Sequence, residues 1–214
     1  MEERALWLHD TTRRVIHRAG IAIEVEGDPP PCGLVVSNHL TYLDIPIFSA
    51  VMPCFFVSKS EVDRWPVFGT AARNGGTIFT DRSSLASATA TAQLIAERLE
   101  LPVPVLLFPE ATSTDGAEVR PFHSRLIHPA VEAGAPITAA SIRYVLDDGA
   151  EEREICWFGD EDFLPNVWKV LGLNGVTAQL SFGEPQIYPH RRVAATETRA
   201  AITAMREAGA MVME

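Results

Sequence analysis

The sequence predicts an α/β fold, a single domain whose central sheet is flanked by helices. Short runs of β-branched and aromatic residues recur along the 214-residue chain, and helical patterns lie between several of them. No Pro/Gly/Ser-rich linker and no internal repeat interrupts the alternation. At 47% hydrophobic and 21% charged residues, the chain has enough apolar material for one large core.

In order, residues Arg4 to Arg18 give a helix on which Ala5, Leu8, Thr12, Val15 and Ile16 share a face. This amphipathic helix defines a segment 1–19, ahead of the main domain 20–214. Its arginines could lie on anionic lipid, but Glu2, Glu3 and Asp10 nearly cancel them, and an ordinary packed helix is the preferred reading. Strands are expected at Ile21–Val25, Leu34–Ser37, Cys54–Ser58, Thr77–Thr80, Val103–Phe108, Ile137–Tyr144, Glu154–Phe158 and Thr177–Phe182. Ser83 can cap a helix on which Leu85, Ala88, Ala92, Ile95 and Leu99 fall three or four apart. An alanine-rich helix closes the chain from about Arg191 to Ala208.

Charge and cysteine content narrow the function. A formal net charge of −10 lacks the basic footprint of a phosphate-backbone binder, so nucleic acid is not an expected partner. Cys32, Cys54 and Cys156 have no C-x-x-C spacing, which gives neither a disulfide framework nor a zinc site and suggests reduced, buried thiols. His123 and His128 lack a carboxylate in register and are not read as metal ligands. No stretch has the form of a signal peptide or the length of a bilayer span.

Three polar turns follow predicted strands, at the sheet edge where α/β proteins usually bind ligands. In Ser37-Asn38-His39-Leu40-Thr41-Tyr42-Leu43-Asp44, a turn running into a helix start can fold the carboxylate of Asp44 back onto His39. Such a pair leaves one ring nitrogen to accept a proton. Alternatively, Thr41 and Asp44 are a capping pair and His39 merely satisfies the turn. The second turn, after Gly75-Gly76-Thr77-Ile78-Phe79-Thr80, carries Asp81 and Arg82, whose guanidinium can fork onto a phosphate or sit in a surface ion pair. The third, Phe108-Pro109-Glu110-Ala111-Thr112-Ser113-Thr114, offers a carboxylate and hydroxyls that could bind substrate or cap the next turn.

Taken together, these blocks resemble the glycerol-phosphate and lysophosphatidate acyltransferase family, whose signature is His-x4-Asp, then G-x-I-F-x-x-R, then F-P-E-G-T-R-S. Ala135-Pro136-Ile137 resembles its fourth motif, and Lys59-Ser60-Glu61 through Pro66-Val67-Phe68-Gly69 its intervening segment. The likeness covers about residues 20 to 190. It implies an acyltransferase fold and transfer of a fatty acyl group from acyl-CoA or acyl carrier protein to a lysolipid hydroxyl, with 1-acylglycerol-3-phosphate as the favoured acceptor. It implies no metal and no cofactor beyond the acyl thioester co-substrate. His39 would be the general base and Asp44 its orienting partner. Asn38, Thr41 and Tyr42 would line the dyad, while Arg82, Glu110, Thr112 and Ser113 would hold the acceptor. A membrane surface becomes the expected partner, bound peripherally on the cytoplasmic, inner face.

Two departures bear on the acceptor. Ser113 stands where the family usually has arginine, and His123 where it usually has lysine. The loss opens a second reading, an acceptor without a phosphomonoester such as lyso-ornithine lipid, unless Arg120, Arg125 or Arg143 compensates. A noncatalytic lipid-binding relative is a third reading, disfavoured by the presence of both His39 and Asp44. Trp157, Phe158, Phe163, Trp168 and Leu171 concentrate apolar bulk after a predicted strand, as core packing or as a membrane-facing surface. The acidic stretch around Asp147 and Glu152 should face away from anionic lipid.

Overall fold

The computed structural model describes residues 1–65, 68–80, 85–147 and 149–211. Its helices are α1 (Glu2–Arg18), α2 (Asp44–Val51), α3 (Phe68–Asn74), α4 (Leu85–Leu99), α5 (Ser124–Glu132), α6 (Phe163–Leu171) and α7 (Arg191–Met211). The strands are β1 (Ala22–Glu26), β2 (Leu34–Ser37), β3 (Phe55–Lys59), β4 (Ile78–Thr80), β5 (Val105–Leu107), β6 (Ile137–Leu146) and β7 (Val176–Phe182).

Among the described residues these strands form one seven-stranded sheet, in the order β1-β7-β6-β2-β5-β3-β4. Strands β2 to β6 run parallel to one another, while β7 pairs antiparallel with β6 and β1 lies parallel to β7. Strand β2 sits near the centre and all four of its residues are buried, as its unbroken Leu-Val-Val-Ser run requires of a strand covered on both faces. Alternation sorts the core: Val35, Leu106 and Ile142 pack with Leu8, Ile16, Ile47 and Phe48 of α1 and α2. Leu34, Val36, Val105 and Leu107 pack on the other face with Ile127 of α5 and Ile202 of α7. The carboxyl ends of β2 and β5 therefore reach the same edge, and the first and third polar turns meet there.

Helix α1 is a packed helix, as its charge balance suggests. Ala5, Leu8, Thr12 and Ile16 are buried, and His9 Nδ1 lies 2.7 Å from the carbonyl of Ser49 in α2. A side chain at Gly75 would meet Leu8 at 2.6 Å, so the bare glycine lets α3 close on α1. One expected strand does not form. Glu154–Phe158 is instead the end of a short 3-10 turn, Glu152–Glu154, followed by a loop. Its hydrogen-bonding groups go elsewhere: Cys156 N–H closes a turn on Arg153, and Trp157 N–H donates to the carbonyl of Leu40 at 2.9 Å. Helices α3, α5 and α6, which the apolar periodicity left unassigned, complete the fold. Of the cysteines, Cys54 and Cys156 are buried but Cys32 is exposed.

Candidate active site

The backbone beyond β2 leaves the sheet as a tight turn, and Asp44 is the first residue of α2. Its carboxylate folds back over that turn. Oδ2 accepts from Leu40 N–H at 2.7 Å and Thr41 N–H at 3.1 Å, and lies 2.7 Å from His39 Nδ1. Oδ1 accepts from the hydroxyl of Tyr144, on β6, at 2.7 Å. Asp44 is thus fully buried with both oxygens hydrogen-bonded, which offsets the cost of taking a polar group out of water. The orienting and capping readings of Asp44 are not rivals here, because one carboxylate performs both. Thr41 takes no capping part through its hydroxyl, which is buried without a partner among the described residues.

His39 keeps 19% of its side chain exposed while Asp44 has none. Its ring stacks on Phe108 at 4.1 Å between centroids and 13° between planes. With Nδ1–H donated to Asp44, Nε2 is left as the acceptor, without a partner among the described residues. An imidazole fixed in tautomer and plane, with one basic nitrogen open at a sheet edge, can take a proton from a hydroxyl.

The third polar turn is fastened to the first. Glu110, buried after Phe108-Pro109, accepts His39 N–H at Oε1 and Arg120 N–H at Oε2, each at 2.8 Å. Burial raises its pKa, against lowering by those two bonds. Thr114 N–H donates to the carbonyl of His39 at 2.9 Å. Thr112 and Ser113 lie between these anchors, half-buried beside the histidine. Ala111 takes φ = 64°, a left-handed conformation, at the place where the resembled motif has glycine.

The other expected substrate residues are placed differently. Both polar ends of the Asn38 amide are engaged by the main chain of Ile142 at 2.9 Å, which prolongs the β2–β6 ladder by one rung in a buried position. Thr41 is fully buried. Tyr42 packs edge-on against Phe68, Trp157 and Phe163, and burial pushes its phenol up to about 12. These residues build the turn from beneath rather than line an open surface. Glu110 likewise holds main chain, with both carboxylate oxygens bonded to N–H groups. Arg82 and Asp81 lie outside the described residues.

Several residues around the site carried no motif. Besides Tyr144, they are Glu152 and Arg206. Glu152 accepts Tyr144 N–H at 2.7 Å and pairs with Arg206 of α7 at 2.6 Å. Arg206 also donates to the carbonyls of Ile142 and Gly116. Among the described residues no three of His, Cys, Asp and Glu converge as ligands for a metal ion.

Comparison with known proteins decides the family. Residues 23–143 match the profile of the Acyltransferase family, a span that contains His39, Asp44 and Glu110. The chain belongs to the acyltransferase family. It is 37% identical over 150 residues to a lyso-ornithine lipid O-acyltransferase of Pseudomonas aeruginosa, covering 70% of this chain and 57% of that protein. It is 32% identical over 173 residues to a 1-acyl-sn-glycerol-3-phosphate acyltransferase of Neisseria meningitidis, covering 79% and 68%. The chain thus spans a little over half to two thirds of the length of these curated relatives. The crystal structure of the 1-acyl-sn-glycerophosphate acyltransferase of Thermotoga maritima has the same fold. Its TM-score is 0.71 at 16% identity, covering 95% of this chain and 78% of that one.

Proposed function

We propose that this protein transfers a fatty acyl group from acyl-CoA or acyl carrier protein to the hydroxyl of a lysolipid. The observation that carries the reading is the His39–Asp44 pair, with Nδ1 held at 2.7 Å by a fully buried carboxylate and the ring still open at the sheet edge. His39 Nε2 takes the proton of the acceptor hydroxyl as its oxygen attacks the thioester carbonyl. The carbon–sulfur bond breaks, the ester remains on the acceptor, and the departing thiolate takes the proton from the imidazolium. No acyl-enzyme forms.

The favoured acceptor is 1-acylglycerol-3-phosphate, and the named relative from Neisseria supports it. A second reading, lyso-ornithine lipid, is favoured by Ser113 in place of the motif arginine and by the relative from Pseudomonas. Attachment to the membrane is proposed as peripheral, on its inner face. No described helix is long and apolar enough to cross a bilayer, while α6 turns Leu164, Trp168 and Leu171, 66%, 74% and 69% exposed, outward at helical spacing. Phe163, the first residue of α6, lies 5.0 Å from the Tyr42 ring, so the stripe stands beside the turn that carries His39.

The deciding experiment is thiol release from acyl-CoA with and without lysolipid, with the product identified by mass spectrometry. Acceptor-dependent release with a new ester is the expected result. Release independent of any lysolipid, or none with either donor, would remove the reading.

A further inference from the structure

We infer that Tyr144 is a positioning residue for the reaction, acting through Asp44 to hold the catalytic imidazole in place. The inference rests on the acyltransferase reading above and adds to it a residue that immediately follows the family match, which ends at residue 143.

Among the described residues, three of the four hydrogen bonds that Asp44 accepts come from its own turn, from His39, Leu40 and Thr41, and all three fall on Oδ2. Those three bonds, together with the Cβ tether, hold the carboxylate from within its own turn. Among the described residues only the Tyr144 hydroxyl reaches Oδ1, at 2.7 Å, and it does so from β6, 100 residues away in sequence. The fourth bond therefore ties the carboxylate to the sheet from outside the turn and resists its rotation about Cβ–Cγ, which would redirect the bond to Nδ1–H.

Tyr144 is itself held by its surroundings. It is buried in the sheet core, its N–H is held by Glu152, and Glu152 is locked by Arg206 of α7. Burial and the neighbouring Asp44 raise its pKa well above the ordinary value, so the phenol stays protonated and can only donate to the carboxylate. The charged or titratable groups around the pair are His39 and Glu110 at the mouth, and Glu152, Cys156 and Arg206 behind Tyr144. Apart from His39, none of these side chains bonds to Asp44 among the described residues.

The test is Tyr144→Phe, which removes one oxygen and keeps the ring. Two readouts are taken. In the first, kcat is expected to fall roughly ten-fold, with KM for donor and acceptor within about two-fold, because the lost bond positions the base without touching substrate. The same substitution is expected to cost no further activity in an Asp44→Ala background. In the second, the low-field proton resonance of His39 Nδ1–H, assigned by its disappearance in His39→Gln, is expected to shift in Tyr144→Phe. It is expected to stay in place in Tyr188→Phe, a substitution away from the site. An unmoved resonance, an unchanged kcat, a loss carried by KM, or an equal loss in the Asp44→Ala background would each overturn the inference. The resonance needs no substrate, so absence of acyl transfer in the wild type would sink the functional reading while Tyr144 was still judged.

Discussion

Glu110 holds His39 by its main chain: the N–H of His39 donates to Glu110 Oε1 at 2.8 Å across 71 residues of sequence. The second oxygen of the same carboxylate accepts Arg120 N–H. The third motif thereby clamps the first, and the imidazole proposed as the general base is anchored from outside its own turn. In Glu110→Gln the amide nitrogen would face an N–H that needs an acceptor, breaking one of the two bonds and costing about 1–3 kcal/mol. Chemical denaturation checks the loss, and an unchanged midpoint would mean the clamp carries no stability.

The pH dependence of that loss has a definite sign. Burial raises the Glu110 pKa above its ordinary 4.5, so the folded state binds the proton more tightly than the unfolded chain. A raised carboxyl pKa contributes stability below the unfolded value that is lost as pH rises toward the folded one. The stability advantage of wild type over Glu110→Gln is therefore expected to shrink from about pH 4.5 upward and then level off. Melting curves of both proteins across the acid range decide it, and an advantage that grows with pH would contradict the assignment.

Asp44→Asn separates chemistry from folding. Asparagine can present its oxygen where Oδ2 now accepts three N–H groups, and its NH2 toward Tyr144, whose hydroxyl turns from donor to acceptor. The variant is expected to fold and to lose most activity, because a neutral amide no longer stabilises the imidazolium. His39→Ala should lose more, since the base itself is gone. Circular dichroism with acyl-transfer rates tests the pair, and near wild-type transfer in folded His39→Ala would refute the base assignment.

Much of this was legible in the sequence because motif and backbone coincide. The His39-to-Asp44 spacing folds back as a turn into a helix allows, and Leu34–Ser37 is buried throughout, as its apolar Leu-Val-Val run leads one to expect. Tyr144 was not legible as part of the site, since only the sheet register brings β6 beside β2, and Glu152 lay in an acidic stretch that reads as solvated. The strand expected at Glu154–Phe158 failed for a related reason: its apolar residues pack and its N–H groups bond, but to a turn and to Leu40. Asn38, Thr41 and Tyr42 adjoin His39 in sequence, and that proximity does not distinguish the floor of a turn, where they are buried, from its mouth.

Ala111 sits at φ = 64°, where a Cβ crowds the following carbonyl. Glycine there removes that strain at the cost of a more flexible unfolded chain, for a net gain of about 0.5–1 kcal/mol. Ala111→Gly is expected to raise the melting temperature, and a drop would show that the side chain earns its place by packing.

The outward stripe of α6 should be the bilayer contact if the acceptor is drawn from a membrane. Replacing Leu164, Trp168 and Leu171 by serine removes apolar side chains from solvent-exposed positions and is expected to leave the fold intact. Co-sedimentation with phosphatidylcholine vesicles should fall several-fold, while turnover of an acceptor dispersed in detergent persists. Unchanged vesicle binding would direct attention to α1, where Leu6, Trp7 and Val15 are exposed.

The acceptor head group turns on Ser113. This residue is half-buried, one position before Thr114, whose N–H is bonded to the carbonyl of His39, so an arginine there would reach the mouth of the site. A charge-assisted contact to phosphate contributes ~1.5–3 kcal/mol, or roughly ten- to a hundred-fold in preference. Compensation from β6 is ruled out by packing, because the Arg143 side chain runs beneath α7, with its Cδ 3.2 Å from where a Cβ on Gly209 would be. Arg120 and Arg125 have exposed side chains on the segment that follows the third turn. Wild type is therefore expected to acylate lysophosphatidate while discriminating weakly against lysophospholipids with larger heads and against lyso-ornithine lipid. Ser113→Arg is expected to raise the ratio of kcat/KM for lysophosphatidate over the others by about ten-fold or more. Strict lysophosphatidate selectivity in wild type, with no gain in the variant, would mean that other cations hold the phosphate, and Arg120→Ala and Arg125→Ala would then identify them.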